Sequence, residues 1–200
     1  FTGVATDSHR LSSSSIEIPS LEEGISFILP KKTVFQLSGL LNDFQGNIII
    51  KIGENKIDYI MDGKKLISKV IDGKFPDYKK VIPSNNQKKL VVNCKDFIDS
   101  VERVTTVSLD RKEGIKFELL ENKIKLSVSS TNSGDGNEIL NAVYKNQSFF
   151  ISFNSKYLID IASVIENQNI EFLLNDGISP VLITDQSDKD SFYVVMPMKI

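Results

Sequence analysis

The sequence predicts an α+β fold in which a short strand, a helix and several antiparallel strands form one unit that occurs three times. Three observations carry this. Strand-like runs dominate the chain, only three segments carry helical spacing, and those three fall into register with one another at intervals of about 60 residues. A repeat of that length is a supersecondary unit that buries its sheet face against a neighbour's. The 200 residues are 40% hydrophobic and 25% charged, with Gly 11 and Pro 6, which fits an ordinary folded chain and not a disordered or collagen-like one.

Residues 3–7 and 15–18 are strand-like pieces with no helix before them, and they read as the tail of a fourth unit. A short apolar strand follows at 25–29, then the segment KKTVFQLSGLL, whose apolar positions Val34, Leu37, Leu40 and Leu41 define one helix face. Residues 47–61 form two β-rich runs around a Gly53-Glu54-Asn55 turn. Asp72-Gly73-Lys74-Phe75-Pro76-Asp77-Tyr78, with Pro83-Ser84-Asn85-Asn86 after it, is turn-rich and marks a domain boundary. The second unit starts with a strand at 90–92 and the helix CKDFIDSVERV, with Phe97, Ile98, Val101 and Val104 apolar. Residues 115–128 repeat the hairpin grammar, with Glu121-Asn122 at the turn. The third unit has a strand at 149–153 and the helix SKYLIDIASVI, with Tyr157, Leu158, Ile161, Val164 and Ile165 apolar. Val34, Ile98 and Leu158 share one column of the repeat, and Leu37, Val101 and Ile161 the next. The division expected is 1–79 as part of one domain and 80–200 as a complete two-unit domain. The chain opens mid-pattern with FTGVATD, as a piece of a longer protein would.

Function classes fall away quickly. A net charge of −2 advertises no nucleic-acid partner. One Cys (Cys94) excludes an internal disulfide and a thiolate metal cluster and fits a reducing cytosol; one His (His9) excludes a multi-histidine metal site. No apolar run reaches the length of a membrane-spanning helix. Asp7-Ser8-His9 holds the residue types of a hydrolase triad, but adjacent side chains on a strand point to opposite faces and cannot align, so a polar turn is expected. Cys94 opens a helix, which could lower its pKa, or lies buried and inert. Gly134-Asp135-Gly136 lacks phosphate-loop spacing and reads as a hairpin loop between Ser133 and Asn137. No catalytic residue, metal ligand or cofactor site emerges.

Two features ask for more than a plain scaffold. Helix N-termini favour acidic residues, yet Lys31, Lys32, Lys95 and Lys156 stand in or near the first turns. They are either solvated surface or contacts for a distributed negative charge such as DNA phosphate. The ending Tyr193-Val194-Val195-Met196-Pro197-Met198-Lys199-Ile200 is a strand stopped by Pro197, with methionines that either fold back into the core or form an adaptable binding surface.

At these residues a resemblance becomes visible. Ala5-Thr6-Asp7-Ser8-His9-Arg10-Leu11, the Asp72–Tyr78 segment and the ending Tyr193 to Ile200 together resemble the bacterial DNA polymerase III beta subunits, the sliding clamps, along the whole chain and in the right order. The resemblance implies a DNA-clamp fold with helices lining a ring and sheets outside it. Residues 1–79 would be the latter part of a middle domain and 80–200 the last domain. The whole protein would be a noncatalytic processivity factor in the cytoplasm, two chains closing head to tail around double-stranded DNA. A first domain, absent from these residues, would meet the region of Thr106 and Val107. Lys31, Lys32, Lys95, Arg103 and Lys156 would face DNA.

The partners implied are the DNA polymerase III catalytic subunit, the clamp loader, and repair and other clamp-binding proteins, each docking through a short linear motif. Their pocket would use Thr6, His9, Arg10 and Leu11; Pro76, Lys80 and Val81; Asn154 and Tyr157; Ile178; and Val194, Val195, Met196, Pro197 and Met198, with Lys199 and Ile200. The sequence departs from the family pattern at Ser8, where Gly is common, and at Lys80 and Lys199, where Arg is common. A lysine lacks the bidentate fork of arginine, which alters the polar rim of the pocket. The alternative from another class is a β-rich repeat scaffold or adhesion module with no DNA role.

Overall fold

A computed structural model describes residues 1–18, 24–107, 114–130 and 134–199. The chain divides into two compact units, Phe1–Ile18 with Lys79–Ile200, and Pro19–Tyr78.

Among the described residues the larger unit holds two sheets and two α-helices. It begins with the hairpin β1 (Thr2–Thr6) and β2 (Arg10–Ser15). The smaller unit supplies α1 (Lys31–Leu41) and the meander β3 (Ile49–Ile52), β4 (Lys56–Met61) and β5 (Lys64–Lys69). After the 3-10 turn Tyr78–Val81 come β6 (Lys88–Asn93), α2 (Cys94–Thr105), β7 (Gly114–Leu120), β8 (Lys123–Ser130), β9 (Gly134–Asn141) and β10 (Val143–Tyr144). The chain continues with β11 (Phe149–Asn154), α3 (Ser155–Ala162), β12 (Asn169–Leu174), β13 (Val181–Thr184) and β14 (Ser191–Val195).

The seven-stranded sheet runs β1-β2-β14-β13-β12-β6-β10, and the four-stranded sheet runs β11-β7-β8-β9. The first hairpin therefore joins the sheet of the last unit: β2 pairs antiparallel with β14, Leu11 opposite Val194 and Ser14 opposite Ser191. Alternation along the strands decides what is buried. Ile115, Phe117 and Leu119 of β7 and Ile124, Leu126 and Val128 of β8 point inward, toward Phe97, Val101 and Val104 of α2 and Leu158 and Ile161 of α3. Aromatic rings lock the centre, Phe97 standing edge-on to Phe117 at 5.9 Å and Phe117 to Phe153 at 5.3 Å. Both helices start on an asparagine cap, Asn93 Oδ1 accepting from Asp96 N and Asn154 Oδ1 from Lys156 N. Cys94 is buried, donates from Sγ to the Ala162 carbonyl, and has its pKa raised by burial and by the nearby Asp185; it is the inert thiol of the two alternatives.

In the smaller unit α1 packs on β3–β5 around Ile57, Tyr59 and Met61. Four expectations change, two in this unit and two in the larger one. Residues 25–29 form no strand, and Ile28 alone pairs, in an isolated bridge with Ile71. The second strand of the chain is Arg10–Ser15 and not 15–18, because the polar turn at 7–9 reverses the chain earlier. Val34 is 51% exposed: α1 turns Thr33 inward instead, where its hydroxyl bonds Ser68 Oγ at 2.6 Å. Gly134-Asp135-Gly136 belongs to β9 and is not a loop; a Cβ on Gly136 would stand 2.6 Å from the Val104 carbonyl, so a bare backbone is what lets α2 lie this close.

Candidate functional site

The turn between β1 and β2 is built by the Asp7 carboxylate. Oδ1 accepts from the backbone N–H of His9 and of Arg10, each at 3.0 Å, and Oδ2 takes Arg10 Nε at 3.0 Å. Thr6 Oγ1 closes the same turn, donating to the Arg10 carbonyl at 2.7 Å. Ser8 sits at the tip with φ 72°, a left-handed conformation that suits glycine.

Arg10 reaches from the turn to α3. Its Nη1 bonds Asp160 Oδ2 at 2.6 Å, and its guanidinium lies 4.3 Å from the centroid of the Tyr157 ring. The His9 ring stacks on the same tyrosine, centroids 6.4 Å apart with 23° between planes. Partial burial would lower the Arg10 pKa, but Asp160 and Asp7 outweigh it and hold the pKa above its ordinary value. Burial would likewise raise the Asp7 carboxyl, yet the bonds from His9 and Arg10 keep it below the usual carboxylate value. Arg10 and His9 are thus both fixed against the Tyr157 ring. Asp7, Ser8 and His9 form a polar turn and not a triad, since the Asp7 carboxylate is engaged by the turn backbone and by Arg10.

The C-terminal segment runs beside this cluster. Val194, Val195 and Leu11 are buried core, so the strand part of the ending does fold inward. Beyond it the chain is pinned at two points, Met196 N to the His9 carbonyl at 2.9 Å and Met198 N to the Ser152 carbonyl at 2.7 Å. Met196 is 39% exposed, Pro197 and Met198 are half-buried, and Lys199 is exposed. The structure therefore brings together Thr6, His9, Arg10, Leu11, Asn154, Tyr157 and the segment from Val194 to Lys199 around β2, β14 and the start of α3. Ile178 is 72% exposed on a turn whose backbone Asp176 holds, Oδ1 accepting from Ile178 N and Ser179 N. Lys80 and Val81 are exposed on the turn Tyr78–Val81, Pro76 falls in the other compact unit, and Ile200 lies outside the described residues. Sequence reasoning missed Asp160 and Ser152. Asp160 follows Tyr157 by three residues on the same helix face, which was the available signal.

The cationic candidates differ in what engages them. Lys31 and Lys32 are exposed at the start of α1, which has no acidic residue in its first turn and no side-chain cap after Pro30. Lys31 Nζ lies 5.4 Å from the Phe35 ring centroid. Lys95 and Lys156 are exposed on the first turns of α2 and α3. Arg103 is held by Glu138, Nη2 to Oε1 at 2.6 Å and Nε to Oε2 at 3.1 Å, with Ser100 completing the cluster. Thr106 is exposed just past α2, and Val107 packs against the core. Among the described residues no cluster of His, Cys, Asp and Glu could hold a metal, and no helix is long and apolar enough to cross a membrane.

Strand–helix–strand repeats closed by long antiparallel sheets, with a surface cluster between a strand turn and a helix start, describe the clamp class of fold. The family model for the C-terminal domain of the DNA polymerase III beta subunit matches residues 79–199, and the model for the central domain of the same protein matches residues 1–77. The chain belongs to the DNA polymerase III beta subunit family. It is 32% identical over 197 residues to the Beta sliding clamp of Escherichia coli (strain K12), covering 98% of this chain and 54% of that protein. It is 33% identical over 198 residues to the Beta sliding clamp of Caulobacter vibrioides (strain NA1000 / CB15N), covering 98% and 53%. The fold is that of a DnaN sliding clamp from Bartonella birtlesii bound to griselimycin, at a TM-score of 0.96 and 38% identity, covering 100% of this chain and 54% of that one. The chain spans about half the length of the curated relatives it matches.

Proposed function

We propose that this chain is the peptide-docking part of a sliding clamp, a noncatalytic processivity factor whose full-length form closes as a two-chain ring around double-stranded DNA in the cytoplasm. In this reading 1–79 belongs to a middle domain and 80–200 is the last one. The cluster of His9, Arg10 and Tyr157 beside the pinned segment Met196 to Met198 is the observation that carries the docking role. Tyr157 and the half-buried Pro197 and Met198 offer an adaptable apolar floor, and Arg10 with its carboxylates offers a fixed polar wall. Short linear motifs of the DNA polymerase III catalytic subunit, the clamp loader and repair proteins are the proposed occupants. The Bartonella birtlesii relative was solved bound to griselimycin, which supports a ligand site in this family.

Contact with DNA falls to Lys31 and Lys32 first, because neither is committed to a carboxylate among the described residues. Arg103 contributes less than the exposed lysines, since Glu138 neutralises it. Thr106 and Val107 are proposed for the ring contact. Enclosure needs only loose electrostatic contact, which accommodates a net charge of −2. The deciding experiment has two arms. The full-length protein is expected to stay on circular duplex DNA and to run off linear DNA; equal retention on both overturns the enclosure. Deleting Met196 to Ile200 is expected to abolish binding of a polymerase-derived peptide in a titration while circular dichroism is unchanged; retained affinity removes the pocket assignment.

A further inference from the structure

The sheet β3-β4-β5 has one face on α1 and a second face whose composition is unusual. Ile57, Tyr59 and Met61 of β4 form the buried set, so Lys56, Asp58 and Ile60 stand on the opposite face. The pairing register extends that face over three rungs: Ile49–Ile60–Lys65, Lys51–Asp58–Ile67 and Lys56–Lys69. Lys65 Nζ takes Asp58 Oδ2 at 2.8 Å; Asp58 also stands opposite Lys51 and acts on Lys51 and Lys56 through space, but among the described residues no carboxylate forms a direct ion pair with Lys51, Lys56 or Lys69. Lys56 and Lys69 are directly opposite each other, a like-charge arrangement that destabilises a sheet. Opposite charges face each other elsewhere, Glu118 with Lys125 across β7 and β8 and Lys89 with Glu171, as Lys51 does with Asp58 on this sheet; Lys56 with Lys69 departs from that arrangement. Lysines on edge strands such as β3 and β5 deter unwanted strand pairing, but Lys56 is on the central strand, where no edge needs guarding.

We propose that this face docks an acidic peptide segment of a partner protein that alternates carboxylates with aliphatic side chains. The carboxylates pair with Lys51, Lys56 and Lys69, and the aliphatic groups seat on Ile49 and Ile67, which are 56% and 55% exposed. Charge complementarity sets the sign of the partner, and the isoleucines set its class. A phosphate backbone would satisfy the lysines but give the isoleucines nothing apolar, and no aromatic ring stands on these rungs for a base to stack on.

The test titrates a fluorescent peptide of alternating Glu and Leu with the full-length protein and reads anisotropy. The triple variant Lys51→Glu, Lys56→Glu, Lys69→Glu is expected to raise Kd about tenfold or more, because exposed ion pairs contribute modestly each but three are reversed together. Glutamate keeps a charge at each position, so a role limited to guarding the edges survives in this variant. Ile49→Ser with Ile67→Ser is expected to raise Kd at least about threefold. A polymerase-derived peptide, titrated in parallel, is expected to bind both variants as it binds the parent, which separates this face from the groove beside Tyr157. Unchanged affinity of the triple variant overturns the proposal, as does competition by duplex DNA or anionic vesicles that displaces the peptide from the same lysines. Protection of Lys56 and Lys69 from amine acetylation in the free full-length protein also overturns it, since the face would then already be covered.

Discussion

Ser8 is the residue at which the turn beside the groove carries strain. At φ 72° its Cβ crowds the backbone, a strain of about 1–2 kcal/mol that glycine lacks. Glycine returns part of that gain through a freer unfolded chain, about 0.5–1 kcal/mol. Ser8→Gly is therefore expected to stabilise the protein by about 0.5 kcal/mol, read as a raised urea midpoint at constant slope. Asp185 carries a pH dependence. Only 5% exposed, its carboxylate accepts from Ser187 N and Oγ at 2.8 and 2.6 Å and from Glu166 N at 3.1 Å. Burial alone would raise its pKa, but these bonds outweigh it and set the folded-state value below the unfolded one. A depressed folded-state value means stability that is complete at neutral pH and is lost as pH falls below the ordinary 3.8 toward the folded value. Asp185→Asn is expected to cost about 1–3 kcal/mol at pH 7 and to flatten the acid limb of the stability curve; a parallel loss at every pH would assign the bonds no charge dependence.

Among the elements, α2 is held by its approach to β9. With 2.6 Å between a built Cβ on Gly136 and the Val104 carbonyl, Gly136→Ala forces helix and strand apart. The expected loss is about 1–3 kcal/mol in denaturant unfolding, with Val107, 3.1 Å from the same Cβ, displaced in NMR spectra. Elements of this kind were partly readable. α1 and α2 announce themselves through periodic apolar residues, and the Gly53-Glu54-Asn55 and Glu121-Asn122 turns through local chemistry. Val164 misled because it continues the helical pattern, whereas α3 stops at Ala162 and leaves it exposed. Val34 misled because α1 meets its sheet through Leu37, Leu40 and Leu41 together with Thr33, whose hydroxyl bonds Ser68, and this leaves Val34 outside the contact. The groove was readable only through resemblance: nothing local in Thr6, His9 or Tyr157 says that they meet. Asp160, which fixes Arg10, was signalled only by its place three residues after Tyr157, because its partner is far away in sequence.

For the molecule as a whole, the pairing of β2 with β14 ties the two ends of the larger unit into one sheet. Leu11 is buried opposite Val194, so Leu11→Ala is expected to cost about 2–4 kcal/mol. Its signature is distant: amides of β14 are expected to exchange faster by hydrogen–deuterium mass spectrometry, and unchanged exchange there would make the first hairpin an independent flap. The same pairing constrains how a newborn chain matures. The first hairpin leaves the ribosome roughly 10–35 s before the strand that must slot between it and β13, at ordinary rates of bacterial or eukaryotic translation. Throughout that interval the open edge of β2 waits unsatisfied on the nascent polypeptide, which makes this the stage of its biogenesis at which a holding chaperone would matter most.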